Sequence, residues 1–351
     1  MNYYFPSFIN SIEATGYSLS QLKYTVNSGT NAIRLLLRSF NLPLNSKVAI
    51  PAFVCKSVKE AAESEKLISV LFDMKADNTF WTHYDFVRLK EENIKVVILV
   101  HLYGFLHPDT KTITDFCEEN NILLLHDAAQ SYGIDEKMLR GAGVIYSFGA
   151  GKSTTAACGG WITSVNEEKT SLSIHKPSLF SFQNIRAKLF LKSRIFGYEF
   201  SGQDDFLKKL LIVIPNNARK IVSMSKFQKQ MSMRSIVELK NILPLRKIRY
   251  TILKDKVGRN SQIGIAYDDE VGLYFKMVLY VKDNMAKLKN YLRQNQIPYF
   301  ALFENTPDAS LENQSLANFL DKAERFIEIS TEASIPENEI IRISKILNSY
   351  K

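Results

Sequence analysis

The chain has 351 residues, 46% hydrophobic and 23% charged, with 45 Lys and Arg against 36 Asp and Glu, a net charge of +9. That length holds about two domains with sizeable cores, and the composition excludes disordered, collagen-like and low-complexity classes. The longest apolar runs, such as Val96 to Tyr103 and Leu210 to Ile214, fall far short of the roughly 18 residues a spanning helix needs.

After VNSGT, an amphipathic run places Ile33, Leu36, Leu37 and Phe40 at i, i+3, i+4, i+7, which predicts a helix opening at Ser28-Gly29-Thr30. A strand VAIP (48–51), a helix from about Lys56 to Ser64, a strand ISVLFD (68–73) and a fully apolar strand VVILVHLY (96–103) follow. PDTKTITDFCEEN then reads as a helix with Pro108 near its start, before the strands ILLLH, VIYSF and GWITSV. Continuous Val/Ile/Leu strands separated by helices indicate a mostly parallel sheet buried on both faces, with ligands bound at its carboxyl edge. From residue 236 the texture changes to a long helical stretch (236–256), a strand GLYFKMVLYV, a helix MAKLKNYLRQNQ and a closing helix PENEIIRISKILNSYK. The expected organisation is a large domain, 1–235, and a smaller C-terminal α/β domain, 236–351.

The charge is uneven. Residues 165–260 hold 20 Lys and Arg against 7 Asp and Glu, an excess of +13, and the remainder is net −4. Within 184–200, Arg186, Lys188, Lys192 and Arg194 alternate with Ile185, Leu189, Phe190, Ile195 and Phe196. Such a pattern suits either a solvated helix with an apolar face on its own core or peripheral contact with an anionic membrane. No RNP-like, zinc-finger or helix-turn-helix signature supports nucleic acid as a partner. Cys55, Cys117 and Cys158 are an odd number at wide spacings, which fits a reducing compartment rather than a disulfide framework. The N-terminal MNYYFPSFIN lacks the order of a secretory signal, so a cytoplasmic location is expected. The five histidines form no HExxH or finger-like spacing, and no metal site is expected.

GAGKST (149–154) invites a nucleotide P-loop, but the position that requires the first Gly is Tyr146, and the following STTAACGGWITS leads into a strand. A different constellation includes Lys152. Asp127 and Gln130 follow one strand, Ser147 ends the next, and Gly29 and Thr30 open a helix. All lie at strand carboxyl ends or a helix N-terminus, where one ligand can touch them together, and the chemistry they suit is pyridoxal phosphate. Each has a simpler reading: Asp127 as a turn cap, Ser28 as an ordinary N-cap, Lys152 as a lysine in a glycine-rich loop.

SGTNAIRLLL, VAIPAFVCKSVKEAA, VILVHLYG, ILLLHDAAQSYG and YSFGAGKSTTAACGGWITS resemble, in order and spacing, the successive motifs of the DegT/DnrJ/EryC1/StrS sugar aminotransferases. The resemblance is strongest over residues 24–165 and resumes at YLRQNQIPY. It implies the α/β, fold-type-I, aspartate aminotransferase-like fold and a homodimer. It also implies that pyridoxal 5'-phosphate links to Lys152, that Asp127 pairs with the ring nitrogen, and that Gln130 meets the ring's 3-oxygen. Gly29, Thr30 and Ser147 would hold the phosphate. The reaction implied is transfer of an amino group, with L-glutamate as donor, to a nucleotide-linked keto-sugar for surface polysaccharide or lipopolysaccharide. Lys152, where dehydratase relatives carry His, favours transamination.

The chain departs from the family in three places. Cys55 stands where an aromatic ring usually stacks on the cofactor, Cys158 where an acidic residue usually precedes Gly-Gly, and no GxNxR-type segment is found in 165–235. Asn216 and Asn217 lie near the place of that segment without matching it. These departures leave room for a different carbonyl or amine substrate, or for a non-catalytic scaffold in glycan assembly.

Overall fold

The computed structural model describes residues 24–149, 151–154, 159–163, 174–175, 220–282, 284–302, 306–307 and 316–351. The 184–200 segment, Cys158, Asn216 and Asn217 lie outside them.

The elements run β1 (Tyr24–Val26), α1 (Gly29–Ser39), β2 (Lys47–Pro51), α2 (Ser57–Ser64), β3 (Ile68–Phe72), α3 (Phe86–Glu91), β4 (Ile94–Val100), α4 (Thr110–Glu119), β5 (Leu123–Asp127), β6 (Gly143–Ser147) and β7 (Gly160–Thr163). They form a seven-stranded sheet ordered β1-β7-β6-β5-β4-β2-β3. The strands β3, β2, β4, β5 and β6 are parallel; at one edge β7 runs antiparallel to β6, and β1 runs antiparallel to β7. The parallel strands are apolar throughout because helices cover both faces: Val96, Ile98 and Leu125 belong to one buried cluster, and Val97, Leu99 and Leu124 to another.

A 32-residue helix, α5 (Lys226–Val257), then leads into β8 (Ile263–Ile265), β9 (Lys276–Val281), α6 (Met285–Gln294), α7 (Ala317–Lys322), β10 (Phe326–Ser330) and α8 (Glu337–Asn348). β10-β9-β8 form an antiparallel sheet. Several details differ from the sequence expectation. The long helix begins ten residues before 236, at a capping box in which Ser225 accepts from Gln228 N–H and the Gln228 side chain returns the bond. The 235/236 division therefore falls inside one helix. β4 stops at Val100, because Tyr103 and Gly104 turn the chain through positive φ, 58° and 87°.

The C-terminal elements are bound to the first sheet through polar contacts. α7 has no side-chain cap of its own, and Asp73, just beyond β3, accepts from the N–H groups of Asn318 (2.9 Å) and Phe319 (2.8 Å). Among the described residues, no helix is long and apolar enough to cross a membrane, and no group of three or more His, Cys, Asp or Glu is placed to hold a metal ion.

A buried histidine chain runs across the ends of β4 and β5. His107 N–H donates to His101 Nδ1 (3.1 Å), so the His101 proton sits on Nε2, facing His126 Nδ1 (3.0 Å); His126 Nε2 then donates to the Arg140 carbonyl (2.9 Å). Burial pushes the pKa of His101 well down and those of His107 and His126 to about 4. An unfolded histidine takes its proton near pH 6.5, so over that interval the unfolded chain binds more protons. Stability should fall as pH drops from about 6.5 to about 4, with His126 alone accounting for on the order of 3 kcal/mol. Urea unfolding across that range should show a shallower pH slope in His126→Gln than in the wild type; equal slopes would contradict the buried neutral chain.

Candidate active site

The end of β6 meets the N-terminus of α1. Ser28 is the N-cap, its hydroxyl accepting from Asn31 N–H at 3.1 Å. Gly29 opens the helix against the end of β6: a Cβ there would lie 2.9 Å from both Cβ and Oγ of Ser147. The missing side chain lets the helix N-terminus and the Ser147 hydroxyl approach as close neighbours. The first N–H groups of a helix have no partner within it and carry its positive dipole end, so this juncture suits an anion such as a phosphate. Thr30 follows at the second helical position, half-buried.

Asp127 ends β5, paired in register with Val100 on one side and Ile145 on the other. It is buried, and Oδ1 accepts from Ala129 N–H at 2.9 Å. Burial raises its pKa, against the opposing pull of the Ala129 N–H and the Lys152 charge. Lys152 sits on a tight turn in which its own N–H donates to the Gly149 carbonyl (3.3 Å) and Gly151 takes φ 77°. Its pKa is lowered first by burial and then by Lys276, while Asp127, Cys55 and Glu328 draw it upward. Cys55 is half-buried and accepts from the Ser57 hydroxyl at 3.2 Å. Gln130 Oε1 accepts from Tyr103 N–H at 3.0 Å; because that donor is a backbone N–H, the amide orientation is fixed with its own donor end turned away.

The structure thus brings Gly29 against Ser147, sets Asp127 and Cys55 within electrostatic reach of Lys152, and ties Gln130 to the turn after β4. The fit to pyridoxal phosphate rests on this arrangement: a cradle that a Cβ at Gly29 would close, and a buried carboxylate opposed by a lysine. The loop after Lys152 also holds two buried hydroxyls, Ser153 Oγ and Thr154 Oγ1, without hydrogen-bond partners among the described residues.

Sequence reasoning missed two ion pairs here. Lys276 and Glu328 stand alone as charges in the apolar strands YFKMVLYV and FIEIS, and that isolation was the available signal. Arg246, fully buried on α5, grips Glu332 through Nη2 (3.0 and 2.9 Å) and Nε (3.3 Å) and donates to the Ser153 carbonyl at 2.9 Å. The residue after Lys152 is therefore held from the long helix and, through Glu332, from the end of β10.

A family model of the DegT/DnrJ/EryC1/StrS aminotransferases matches residues 14–344. The protein belongs to this family of pyridoxal-phosphate-dependent aminotransferases, with the fold-type-I architecture that the sequence motifs implied. Solved structures share the fold at low identity. A DegT DnrJ EryC1 StrS aminotransferase from Brucella abortus is 14% identical, with TM-score 0.68 over 93% of this chain and 86% of that one. DesI in the presence of its TDP-sugar product is 16% identical, with TM-score 0.68 over 97% and 84%. Spr1654 from Streptococcus pneumoniae, in its PLP form, is 18% identical, with TM-score 0.67 over 98% and 91%.

Replacing Arg246 tests the clamp on the Lys152 loop. Arg246→Met leaves Glu332 and the Ser153 carbonyl without their donor and should cost about 2–4 kcal/mol in chemical denaturation. Arg246→Lys should recover only part of that, since an ammonium lacks the planar fork that holds both acceptors at once. A loss below about 0.5 kcal/mol in the Met variant would contradict the assignment.

Proposed function

We propose that this protein uses pyridoxal 5'-phosphate, joined to Lys152, to transfer an amino group from L-glutamate to a nucleotide-linked keto-sugar. The product serves surface polysaccharide or lipopolysaccharide synthesis in the cytoplasm, and the enzyme works as a homodimer with a large cofactor domain and a smaller C-terminal domain that share α5, the helix within which the 235/236 division lies. The family supports the reaction type, and a TDP-sugar product with DesI supports the substrate class. The observation that carries the reading is the convergence of Lys152, buried Asp127 and the Gly29–Ser147 cradle at the carboxyl edge of one parallel sheet.

When bound, the cofactor supplies an electron sink for the carbanion left when a proton leaves the substrate carbon. The chain's own groups do the rest. The α1 N-terminus and Ser147 anchor the phosphate. Asp127, whose buried carboxylate gains from a cationic partner, holds a proton on the ring nitrogen and so keeps the ring electron-poor. The Gln130 amide, oriented by Tyr103, presents a donor toward the ring oxygen. Lys152 Nζ would hold the cofactor at its carbonyl carbon and, when released from it, would take and return the proton at the substrate carbon. Cys55 offers a sulfur in place of a stacked aromatic ring, so the ring is held less by stacking and more by its polar edges.

Purified protein with added pyridoxal phosphate should develop the visible absorbance of a lysine-bound cofactor, and Lys152→Ala should abolish it. L-glutamate alone should then discharge that band in the wild type. Gly29→Ala, which drives a Cβ into Ser147, should weaken cofactor binding at least about tenfold in a fluorescence titration. A protein that stays colourless would overturn the proposal, and a band indifferent to glutamate would overturn the choice of donor.

A further inference from the structure

β4 and β5 run in parallel register, with Leu99 paired to His126 and Val100 to Asp127. His101, the residue after β4, holds the turn after β5 through its main chain. Its N–H donates to the Asp127 carbonyl (2.9 Å), and its carbonyl accepts from the Ser131 hydroxyl (2.8 Å). Within the turn, Ser131 N–H donates to the Ala128 carbonyl (2.9 Å). One residue thus fixes both ends of the segment that carries Asp127 and Gln130.

The His101 side chain belongs to a hydrogen-bond chain whose direction is set by main-chain groups with unchangeable roles. At one end Asp109 N–H donates to His107 Nδ1 (3.2 Å), which puts the His107 proton on Nε2, facing the Thr82 carbonyl (3.2 Å). His107 N–H donates to His101 Nδ1, and at the other end the Arg140 carbonyl takes the His126 Nε2 proton. A single hydrogen, on His101 Nε2, therefore lies in the 3.0 Å contact with His126 Nδ1. The two rings are buried and nearly parallel, 5.2 Å between centres and 12° between planes.

A proton added to His126 must go on Nδ1, where it sets two N–H groups against each other; added to His101, it must displace the His107 N–H. Among the described residues, no carboxylate bonds either ring to offset the charge. Asp109 is paired with Lys75 at 2.7 Å, and Asp127 Oδ1 accepts from Ala129 N–H. The Arg140 guanidinium turns to Asp115 and Glu118, the Tyr84 hydroxyl donates to the Ile98 carbonyl, and Cys117 is a buried thiol. We propose that His101 and His126 are positioning residues for the Asp127–Gln130 turn, which they hold only while both rings are neutral, so that acid frees this turn before the rest of the sheet opens. The strand segments before them keep their ladder and their apolar cover on both faces, whereas the turn depends on His101. That the freed turn then lets the cofactor go rests on the reading given under Proposed function; the acid release itself does not.

The test uses the full-length protein. With nitrogen-labelled histidine, long-range nitrogen–proton correlation at neutral pH should show His101, His107 and His126 all protonated at Nε2. Hydrogen exchange read by mass spectrometry, in cofactor-free protein and corrected for the intrinsic rate, should show a local step. Residues 127–131 and 139–142 should lose at least about tenfold in protection as pH falls toward about 4, with 94–99 and 276–281 still protected. His126→Gln, whose amide accepts from His101 and donates to Arg140 without titrating, should move that step at least about one pH unit lower. His126→Leu, which does neither, should show the loss already at neutral pH. Should His126→Gln fold poorly, the tautomers and the local step in the wild type decide alone. A proton on Nδ1 of His101 or His126, exchange that rises in all segments together, or an unmoved step in His126→Gln overturns the proposal. The absorbance test separates the two readings: the exchange step without cofactor uptake would leave the acid release standing and remove the functional reading, and uptake without the step would do the reverse.

Discussion

The site depends on placing a lysine and a carboxylate where water solvates neither fully. Asp127 alone at the end of a buried strand would take up a proton, and Lys152 alone in the same surroundings would lose one. Each is the other's compensation, and that relation requires three main-chain facts. β5 must end level with β4 and two residues short of the end of β6, the Lys152 turn must pass close by, and α1 must begin against Ser147. The last is possible only because position 29 has no side chain. The parallel sheet delivers all three at one edge, since its strands end on that side and the connections that follow them cluster there.

The smaller sheet shares in this construction. Arg246 joins α5 and the segment after β10 to the Ser153 carbonyl, Asp73 seats α7, and the Lys276–Glu328 pair faces the turn that orients Gln130. These are buried polar contacts, which constrain geometry more sharply than apolar packing does, because a donor or acceptor displaced from its partner loses far more than a methyl group displaced by the same distance. Through Arg246, the segment after β10 and the long helix together fix the residue that follows Lys152.

Much of the large sheet was legible because its signals are local. Ile33, Leu36 and Leu37 fall at helical spacing, VVILV can only be buried on both sides, and Lys152, Asp127 and Ser147 each stand at a recognisable strand end. What escaped depends on chain segments far apart. The start of α5 was written in Ser225 and Gln228, but no clean apolar stripe marked the turns between 226 and 236. β1, β8 and α7 are three to six residues long and exist through their partners: an antiparallel neighbour for each strand, and Asp73 for the helix. Lys276 was visible as a charge in an apolar strand, but its meaning needed Glu328, 52 residues away, and Tyr103, on the other sheet.

The net charge of +9 is a property of the whole chain and has little bearing on this chemistry. At the site the ledger is two against two: Lys152 and Lys276 against Asp127 and Glu328. Neutral balance in a desolvated place makes each charge depend on the others, so removing any one leaves a surplus that must be met by a proton gained or lost elsewhere in the set. Burial and Lys276 lower the Lys152 pKa while Asp127, Cys55 and Glu328 raise it, so its state answers to how these groups are arranged, and the arrangement needs both sheets.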